Sequence, residues 1–476
     1  MAGPAGGRAA GAGEQQVAVE EAFAVKVTDV PLLDGVLLIG PPGIGKTEVV
    51  KQKAREEAER LGRKFVDLRE APDEVIEDIL RNPDKYYVFY RVVATHIFPE
   101  DIGYPVPKNV LVEHLPPKVL AVFAREGARG LLFIDELTNV KDAKQMTMYF
   151  SILQEKEAGM QLRLSRGVKI MVAANPPEWS RVAEPLPQPI RGGRVTMVEV
   201  LPPTVDEWAQ YMERTYGDEW DRAVYAYLKA HPEDFLKQPE DDWSAFPTPR
   251  SWTRLARALY ELRRSGAPWS VIAAVVKGSV GPEVAPRFLA LYKRGEDLSK
   301  HLERLKREPE SFLQLDHEMK YLVITALLQR PAEEVVEEFG GFLEWLLMRG
   351  NREWLALIVT NPLDPAKGRE IGEALSRKYP GYVSAMLEMT ESFLQLDHEM
   401  KYLVITALLQ RPAEEVLEEF GGFLDWLLEL GDREWLALIV TNPLDPEKGR
   451  EIGEALSRKH PDYVSKILDM TDSFGE

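Results

Sequence analysis

Eight consecutive residues near the N-terminus have the spacing of a phosphate-binding loop. They follow a short apolar run at 35–39 and precede a helical pattern rich in Glu, Lys and Arg at 47–61. Glycines let the backbone N–H groups of such a loop curl around phosphate oxygens, and the helix N-terminus adds partial positive charge. Lys46 is expected to reach the β- and γ-phosphates, and Thr47 to ligate Mg²⁺. The loop consists of Gly40, Pro41, Pro42, Gly43, Ile44, Gly45, Lys46 and Thr47.

Two adjacent carboxylates, Asp135 and Glu136, follow a second apolar run at 131–134 about 90 residues after the loop. In open α/β sheets, ligands bind outside the carboxyl ends of the strands, where this pair is expected to lie. Asp135 is predicted to contribute to nucleotide binding by holding Mg²⁺ through water. Glu136 is predicted to orient and deprotonate the attacking water.

A third apolar run, at 170–174, ends in Asn175 and two prolines. If its strand neighbours the strand before Asp135, the Asn175 amide can position the lytic water or sense the γ-phosphate. Taken alone, the same residues fit an ordinary Asn-Pro turn. Asn175 is therefore a candidate catalytic residue that depends on the order of the strands.

Arg250 is a further candidate because of where it would lie in a helix. Thr248 is a suitable N-cap and Pro249 suits the first helical position. Arg250 would then be in the first turn, where a cation is disfavoured unless an anion lies nearby. A phosphate-facing role competes here with an exposed surface pair.

These candidates require a particular set of elements. Apolar runs alternate with helical patterns up to about residue 200, which predicts an α/β domain with a mostly parallel sheet covered on both faces. Helices are predicted at 47–61, about 72–80 and 117–128. Only helical patterns remain beyond about residue 205.

The order of these motifs resembles that of the AAA+ ATPases, and most closely the MoxR-like, helix-2-insert branch. The resemblance covers residues 30–293 and rests on the phosphate loop, the Asp135-Glu136 strand, a sensor 1 segment at 174–176 and a sensor 2 segment at 246–252. The segment at 99–105 resembles the approach to the helix-2 insert. The resemblance implies a phosphate-loop core with an α-helical lid, ATP and Mg²⁺ as cofactors, and a homo-oligomer, usually a hexameric ring, that remodels a partner protein.

The same resemblance implies an arginine finger, which acts on the γ-phosphate bound by a neighbouring subunit. The family pattern ends in Arg-Phe, whereas this chain has Arg194 followed by Val195 and preceded by two glycines. This departure leaves Arg194 and Arg191 as alternatives, with Arg194 favoured.

An internal repeat dominates the C-terminal half. Residues 310–390 recur at 391–471 with 11 differences, and each copy is predicted to contain about four helices. The predicted organisation is a disordered tail at 1–16, a nucleotide-binding domain at 17–204, a helical lid and linker at 205–309, and helical repeats at 310–390 and 391–476.

The net charge of −18 argues at first against a nucleic-acid partner, but the acidity is local. The first copy has 13 acidic and 8 basic residues, and the second has 17 and 8. With Asp472 and Glu476, this leaves only −2 for residues 1–309. A nucleic-acid motor therefore stays an alternative, supported weakly by Arg163, Arg166 and Lys169.

The composition excludes several other classes. The chain has no cysteine, which rules out disulfides, thiolate catalysis and cysteine-bound metal. It also has no apolar run of about 18 residues, and its N-terminus lacks the apolar core of a signal peptide. We expect a cytoplasmic protein without a membrane partner. A scaffold that binds nucleotide without turnover is the third interpretation, which the set of Lys46, Thr47, Asp135 and Glu136 disfavours.

Overall fold

The computed structural model describes most of the chain up to residue 378 and parts of the second repeat. The predicted tail at 1–16 lies outside the described residues. These are residues 24–158, 162–180, 186, 188, 195–239, 241, 243–349, 351–378, 405, 408, 413, 414, 416, 417, 421, 424, 427, 433–441 and 446–459.

Contacts divide the chain into two units, Met1–Thr204 with Glu233–Ala285, and Val205–Pro232 with Pro286–Glu476. The domain boundaries given above stay a prediction. Across the described residues, no helix is both long and apolar enough to cross a membrane.

The first unit is built on a parallel sheet. Within the described part of the chain, seven strands form this sheet and four more form two short hairpins. The strands are β1 (Val25–Lys26), β2 (Val36–Ile39), β3 (Lys64–Asp67), β4 (Tyr86–Val93), β5 (Tyr104–Lys108), β6 (Leu111–Leu115), β7 (Arg129–Asp135), β8 (Glu157–Ala158), β9 (Leu162–Arg163), β10 (Gly167–Ala174) and β11 (Thr196–Leu201).

The sheet order is β1-β11-β2-β10-β7-β4-β3, and its neighbouring strands pair in parallel. The central strands are apolar on both faces because helices cover both sides. In β7, Leu131 and Phe133 pack in the core on one face, and Leu132 and Ile134 pack in the core on the other. Because these strands are parallel, β2, β7 and β10 end at the same edge of the sheet, where the phosphate loop begins.

Of the four helices that precede β11, three match predicted helices, one of them with a correction, and the fourth, Ala143–Glu155, was not predicted. The predicted helix at 117–128 ends at Ala124, because Arg125 is extended and Gly127 has φ 79° in the turn that leads into β7. The helices are α1 (Lys46–Arg60), α2 (Asp73–Arg81), α3 (Lys118–Ala124) and α4 (Ala143–Glu155).

Only helices and 3-10 turns follow β11 in the described residues. This pattern confirms the predicted fold class, a parallel α/β core followed by an all-helical C-terminal region. The helices are α5 (Val205–Tyr216), α6 (Ala223–Ala230), α7 (Pro249–Arg264), α8 (Trp269–Arg294, interrupted at Gly281), α9 (Leu298–Arg307), α10 (His317–Leu328), α11 (Ala332–Met348), α12 (Arg352–Thr360), α13 (Pro365–Lys378), α14 (Arg433–Thr441) and α15 (Pro446–Lys459).

The two repeats bury equivalent side chains. Leu343 and its counterpart Leu424 are fully buried, and Trp354 and its counterpart Trp435 are nearly so. At the described positions of the second copy, largely the same side chains are buried as in the first, and α12 and α13 are matched by α14 and α15.

Candidate active site

The phosphate loop connects β2 to α1 in a tightly bent conformation. The Gly40 amide donates to the Ala174 carbonyl across 3.3 Å, and a Cβ at Gly40 would lie 2.5 Å from the Val200 oxygen. Gly43 has φ 75°, which side chains rarely adopt. Pro41, Pro42, Ile44 and Gly45 complete the turn, and Ile44 is buried in the core.

Lys46 is buried at the start of α1, with only 7% of its surface exposed. Its ammonium donates to Gly40 O at 2.6 Å, Pro41 O at 2.8 Å and Asn175 Oδ1 at 3.0 Å. Burial lowers the pKa of Lys46 from 10.5 to about 8, against the opposing charge of Asp135 and with a further lowering by the positive charge of Arg250.

Thr47 and Asp135 meet at the same edge of the sheet, although 88 positions separate them. Thr47 Oγ1 donates to Asp135 Oδ2 across 2.9 Å. Hydroxyl and carboxylate oxygens are the hard ligands that Mg²⁺ prefers, and adjacent ligands of an octahedral Mg²⁺ site are themselves about 2.9 Å apart. The chemistry and spacing of this pair therefore fit a magnesium ion.

Glu136 follows β7 in the left-handed conformation, with φ 61°, and its side chain is half-buried. The Asn139 side-chain amide donates to Glu136 Oε2 at 3.2 Å. The Glu136 backbone amide donates to Asp135 Oδ1 at 3.0 Å. Thr138 Oγ1 also donates to the Asn175 carbonyl at 3.2 Å, which joins the ends of β7 and β10.

Arg250 lies in the first turn of α7, as the sequence predicts. Thr248 is the N-cap and accepts a hydrogen bond from the Ser251 amide at 3.1 Å. The Arg250 amide donates to the Gly43 carbonyl at 3.1 Å, which fixes the start of α7 against the phosphate loop. The Arg250 guanidinium is exposed and has no ion-pair partner among the described residues. Arg191 and Arg194 lie outside the described residues.

Two further residues at the site, Arg91 and Asn139, are not among those predicted from the motifs. Arg91, on β4, contacts Asp135 Oδ2 through Nε at 2.9 Å and Nη2 at 2.7 Å. A lone arginine within the apolar and aromatic run of β4 is the signal that could have identified it. Asn139 carries no comparable signal, because a polar residue in a turn after a strand is common.

Residues 36–200 match the sequence profile of the ATPase family associated with various cellular activities (AAA). This match confirms the enzyme class predicted from the motifs, an ATPase that binds nucleotide. No curated protein matches the chain.

Solved structures similar to this chain include Orc1 of Aeropyrum pernix in complex with DNA, at 14% identity, a TM-score of 0.28 and coverage of 71% of this chain and 83% of that one. NtrX of Brucella abortus in complex with ADP has 16% identity, a TM-score of 0.29 and coverage of 73% and 70%. The RuvB Holliday junction branch migration motor of Thermotoga maritima has 16% identity, a TM-score of 0.24 and coverage of 71% and 80%.

At such TM-scores these likenesses add nothing to the assignment, which rests on the family profile and on the residues at the sheet edge. The family profile supports an AAA ATPase domain at residues 36–200.

Proposed function

We propose that this protein hydrolyses ATP in a Mg²⁺-dependent reaction at the edge formed by β2, β7 and β10. The observation that carries the proposal is the 2.9 Å contact between Thr47 and Asp135. Lys46 directly precedes Thr47 in the chain, and Glu136 directly follows Asp135. Phosphoryl transfer to water requires a phosphate-loop lysine, a hydroxyl and a carboxylate that hold the metal, and a general base.

Each residue has a distinct role in this proposal. Loop amides and Lys46 hold the phosphates, and Arg250 approaches the same anion from the start of α7. Glu136 accepts a proton from the attacking water, while Asn175 orients that water or the γ-phosphate. Thr47 and Asp135 would hold Mg²⁺, which supplies charge neutralisation at the β- and γ-phosphates when bound.

We further propose a homo-oligomeric ring, with hexamers as the expected size. Arg194, or alternatively Arg191, would complete the site of the neighbouring subunit as an arginine finger. The support comes from the resemblance in sequence to AAA+ ATPases. A finger supplied in trans makes hydrolysis depend on assembly, because the transition-state charge is otherwise incompletely neutralised.

We also propose that the ring belongs to the MoxR-like type and remodels a partner protein. The β5–β6 hairpin supports a protein client, because its tip exposes Val110 almost completely and Leu111 and Val112 largely. Exposed apolar groups in a cluster are typical of protein-contacting surfaces.

A nucleic-acid client receives less support from the charged side chains. Lys169 is engaged by the Leu32 carbonyl at 2.9 Å and by Glu57 at 3.5 Å, and Arg163 approaches Glu157 at 3.9 Å. Two of the three basic residues considered from the sequence are thus already paired. Stimulation of turnover by DNA, with steep salt dependence, would favour this alternative.

The test of hydrolysis is Glu136→Gln in the full chain. We expect steady-state ATP turnover to fall at least 100-fold, because general-base catalysis contributes about 10²–10⁴-fold. The affinity for ATP should change less than about threefold, since Glu136 does not hold the phosphates in this proposal.

Glu126→Gln is the matched control. Glu126 is exposed just before β7 begins, at the strand end away from Asp135. The control should retain the parent turnover. Unchanged turnover in Glu136→Gln would contradict the proposed role of Glu136.

A further inference from the structure

The carboxylate of Asp135 is engaged on both oxygens. Oδ1 accepts from the Glu136 amide at 3.0 Å, and Oδ2 accepts from Thr47 Oγ1 at 2.9 Å. Oδ2 also accepts a hydrogen bond from Arg91 Nε at 2.9 Å and forms an ion pair with Arg91 Nη2 at 2.7 Å. Two side chains, Thr47 and Arg91, therefore converge on the same carboxylate oxygen.

Arg91 is an unusual residue for its position. It lies in β4, whose other residues are apolar or aromatic, and β4 pairs with β7 in the register that places Val93 opposite Asp135. The Arg91 side chain is 27% exposed and that of Asp135 is 10% exposed. A guanidinium in such surroundings needs a partner, because removing a charge from water is costly unless it is paired.

The oxygen that Arg91 occupies is the one that pairs with Thr47 in the proposed magnesium site. Mg²⁺, or a water molecule that it holds, needs the lone pairs of the Asp135 carboxylate, whereas a guanidinium occupies the same lone pairs by donating hydrogen bonds to them. Two cations directed at one carboxylate oxygen also repel each other. Binding of the metal at Asp135 therefore weakens the contact with Arg91, and the contact with Arg91 weakens binding of the metal.

We propose that Arg91 is a built-in cation that competes with Mg²⁺ for Asp135 and so sets the magnesium concentration at which the nucleotide is held. This inference rests on the proposed function, because it requires a metal–nucleotide complex at this edge. Arg91 keeps the carboxylate paired when the metal is absent, and the metal binds only by weakening that pair.

A purely structural role for Arg91 predicts the opposite direction. If the guanidinium only oriented a magnesium ligand, its removal would leave Asp135 less ordered and would weaken metal binding. If Arg91 competes, its removal leaves a carboxylate that has lost its compensating charge, which attracts a cation more strongly. The sign of the change therefore separates the two roles.

The experiment uses the full chain with Glu136→Gln as the parent, so that nucleotide is not consumed. Binding of a fluorescent ATP analogue is measured by anisotropy while free Mg²⁺ is varied. Arg91→Met should lower the half-saturating Mg²⁺ concentration by about tenfold or more, since it removes the competing charge. Arg91→Lys keeps the charge but loses the forked contact, and should lie between the two.

Arg81→Met is the matched control, because Arg81 forms an exposed ion pair with Glu77 on α2. It should leave the magnesium dependence unchanged. Binding of Mn²⁺ followed by electron paramagnetic resonance, with nucleotide present, gives the metal affinity without any reference to turnover and should shift in the same direction. Circular dichroism and thermal unfolding of each variant establish that it is folded.

The outcomes distinguish the two proposals. If the parent binds nucleotide in a Mg²⁺-dependent manner and neither Arg91→Met nor Arg91→Lys lowers the magnesium requirement, the competition is overturned while the proposed site stands. If the parent itself shows no Mg²⁺-dependent nucleotide binding, the proposed function fails and the competition fails with it.

Discussion

The nucleotide site and the C-terminal repeats use buried residues in opposite ways. At the site, Lys46 and Asp135 are buried polar groups held by charge-assisted hydrogen bonds. In the described parts of the repeats, most of the fully buried positions are filled by apolar side chains such as Ile324, Leu343 and Phe339, and Asn361 is a polar exception. The first region stores charge in a low-dielectric setting, whereas the second removes apolar surface from water.

This difference determines how much the buried residues of each region indicate about its function. Burying charged groups away from water costs free energy. Their presence at one edge of the sheet therefore indicates a ligand that binds to them. An apolar core is needed for any stable helical array, and it is therefore silent about partners. We expect substitutions in the repeats to change stability alone, and substitutions at the site to change nucleotide affinity or turnover.

The largest expected effect is on stability. Leu343→Ala should reduce the free energy of unfolding of its repeat by about 2–5 kcal/mol, because it removes a fully buried side chain and leaves a cavity. Leu424→Ala, at the equivalent position of the second repeat, should cost a similar amount. Hydrogen exchange of the helical segments in each repeat provides the measurement.

The nucleotide affinity of the folded fraction is the control for both leucine variants. It should stay within about twofold of the parent, since no proposed phosphate or metal ligand lies in the repeats. A tenfold loss of affinity in either variant would break the comparison, because it would mean that repeat packing and nucleotide binding are energetically coupled.

Much of the sheet could be predicted because its strands are short apolar runs. β2 lies within the predicted run at 35–39, and β7 extends the predicted run at 131–134 by a few residues. The β5–β6 hairpin was harder to recognise. β5 reads Tyr-Pro-Val-Pro-Lys, and both strands are largely exposed, so that neither prolines nor apolar alternation indicate a strand.

The site itself divides in the same manner. Contiguous motifs and strand ends identify the phosphate loop, Asp135, Glu136 and Asn175 as candidates, and parallel pairing of β7 with β10 brings them together. Arg91 could be noticed as a lone arginine in an apolar run, but its contact with Asp135 could not be assigned, because that contact depends on the register of β4 against β7. That register follows from packing of both sheet faces and is not encoded in any local pattern.

A smaller effect is expected on the pH dependence of nucleotide binding, through the charge of Lys46. Because burial lowers the pKa of Lys46 to about 8, the free protein holds a neutral amine above that pH. Phosphate binds the charged form, so affinity for an ATP analogue should be constant below pH 8 and fall by up to about tenfold per pH unit above it. Fluorescence anisotropy between pH 7 and 10 measures this.

Lys46→Arg sharpens the test, since arginine stays protonated throughout this range. The variant should bind more weakly at neutral pH, because the planar guanidinium replaces a compact ammonium, but its affinity should not decline between pH 8 and 10. A decline of the same steepness in both proteins would assign the titration to a group other than Lys46.

The smallest expected effect lies where the start of α7 meets the phosphate loop. Thr248 caps α7, and a Cβ at Gly43 would lie 3.0 Å from its hydroxyl oxygen, so that the cap and the loop are in close contact. Thr248→Ala removes the cap and should lower stability by about 1 kcal/mol. It should lower ATP affinity by less than about tenfold, because the hydrogen bond from the Arg250 amide to Gly43 O is retained.

Thr248→Ser separates the cap from the packing of the methyl group. Serine keeps the oxygen that accepts from Ser251, so it should restore most of the stability measured by urea unfolding. If serine restored stability but not affinity, the methyl group of Thr248 would be the part that matters for the nucleotide. The charged groups of the site would then depend on apolar packing where α7 begins. The site would still differ from the repeats in burying charged groups, but both regions would rely on apolar packing to hold their side chains in place.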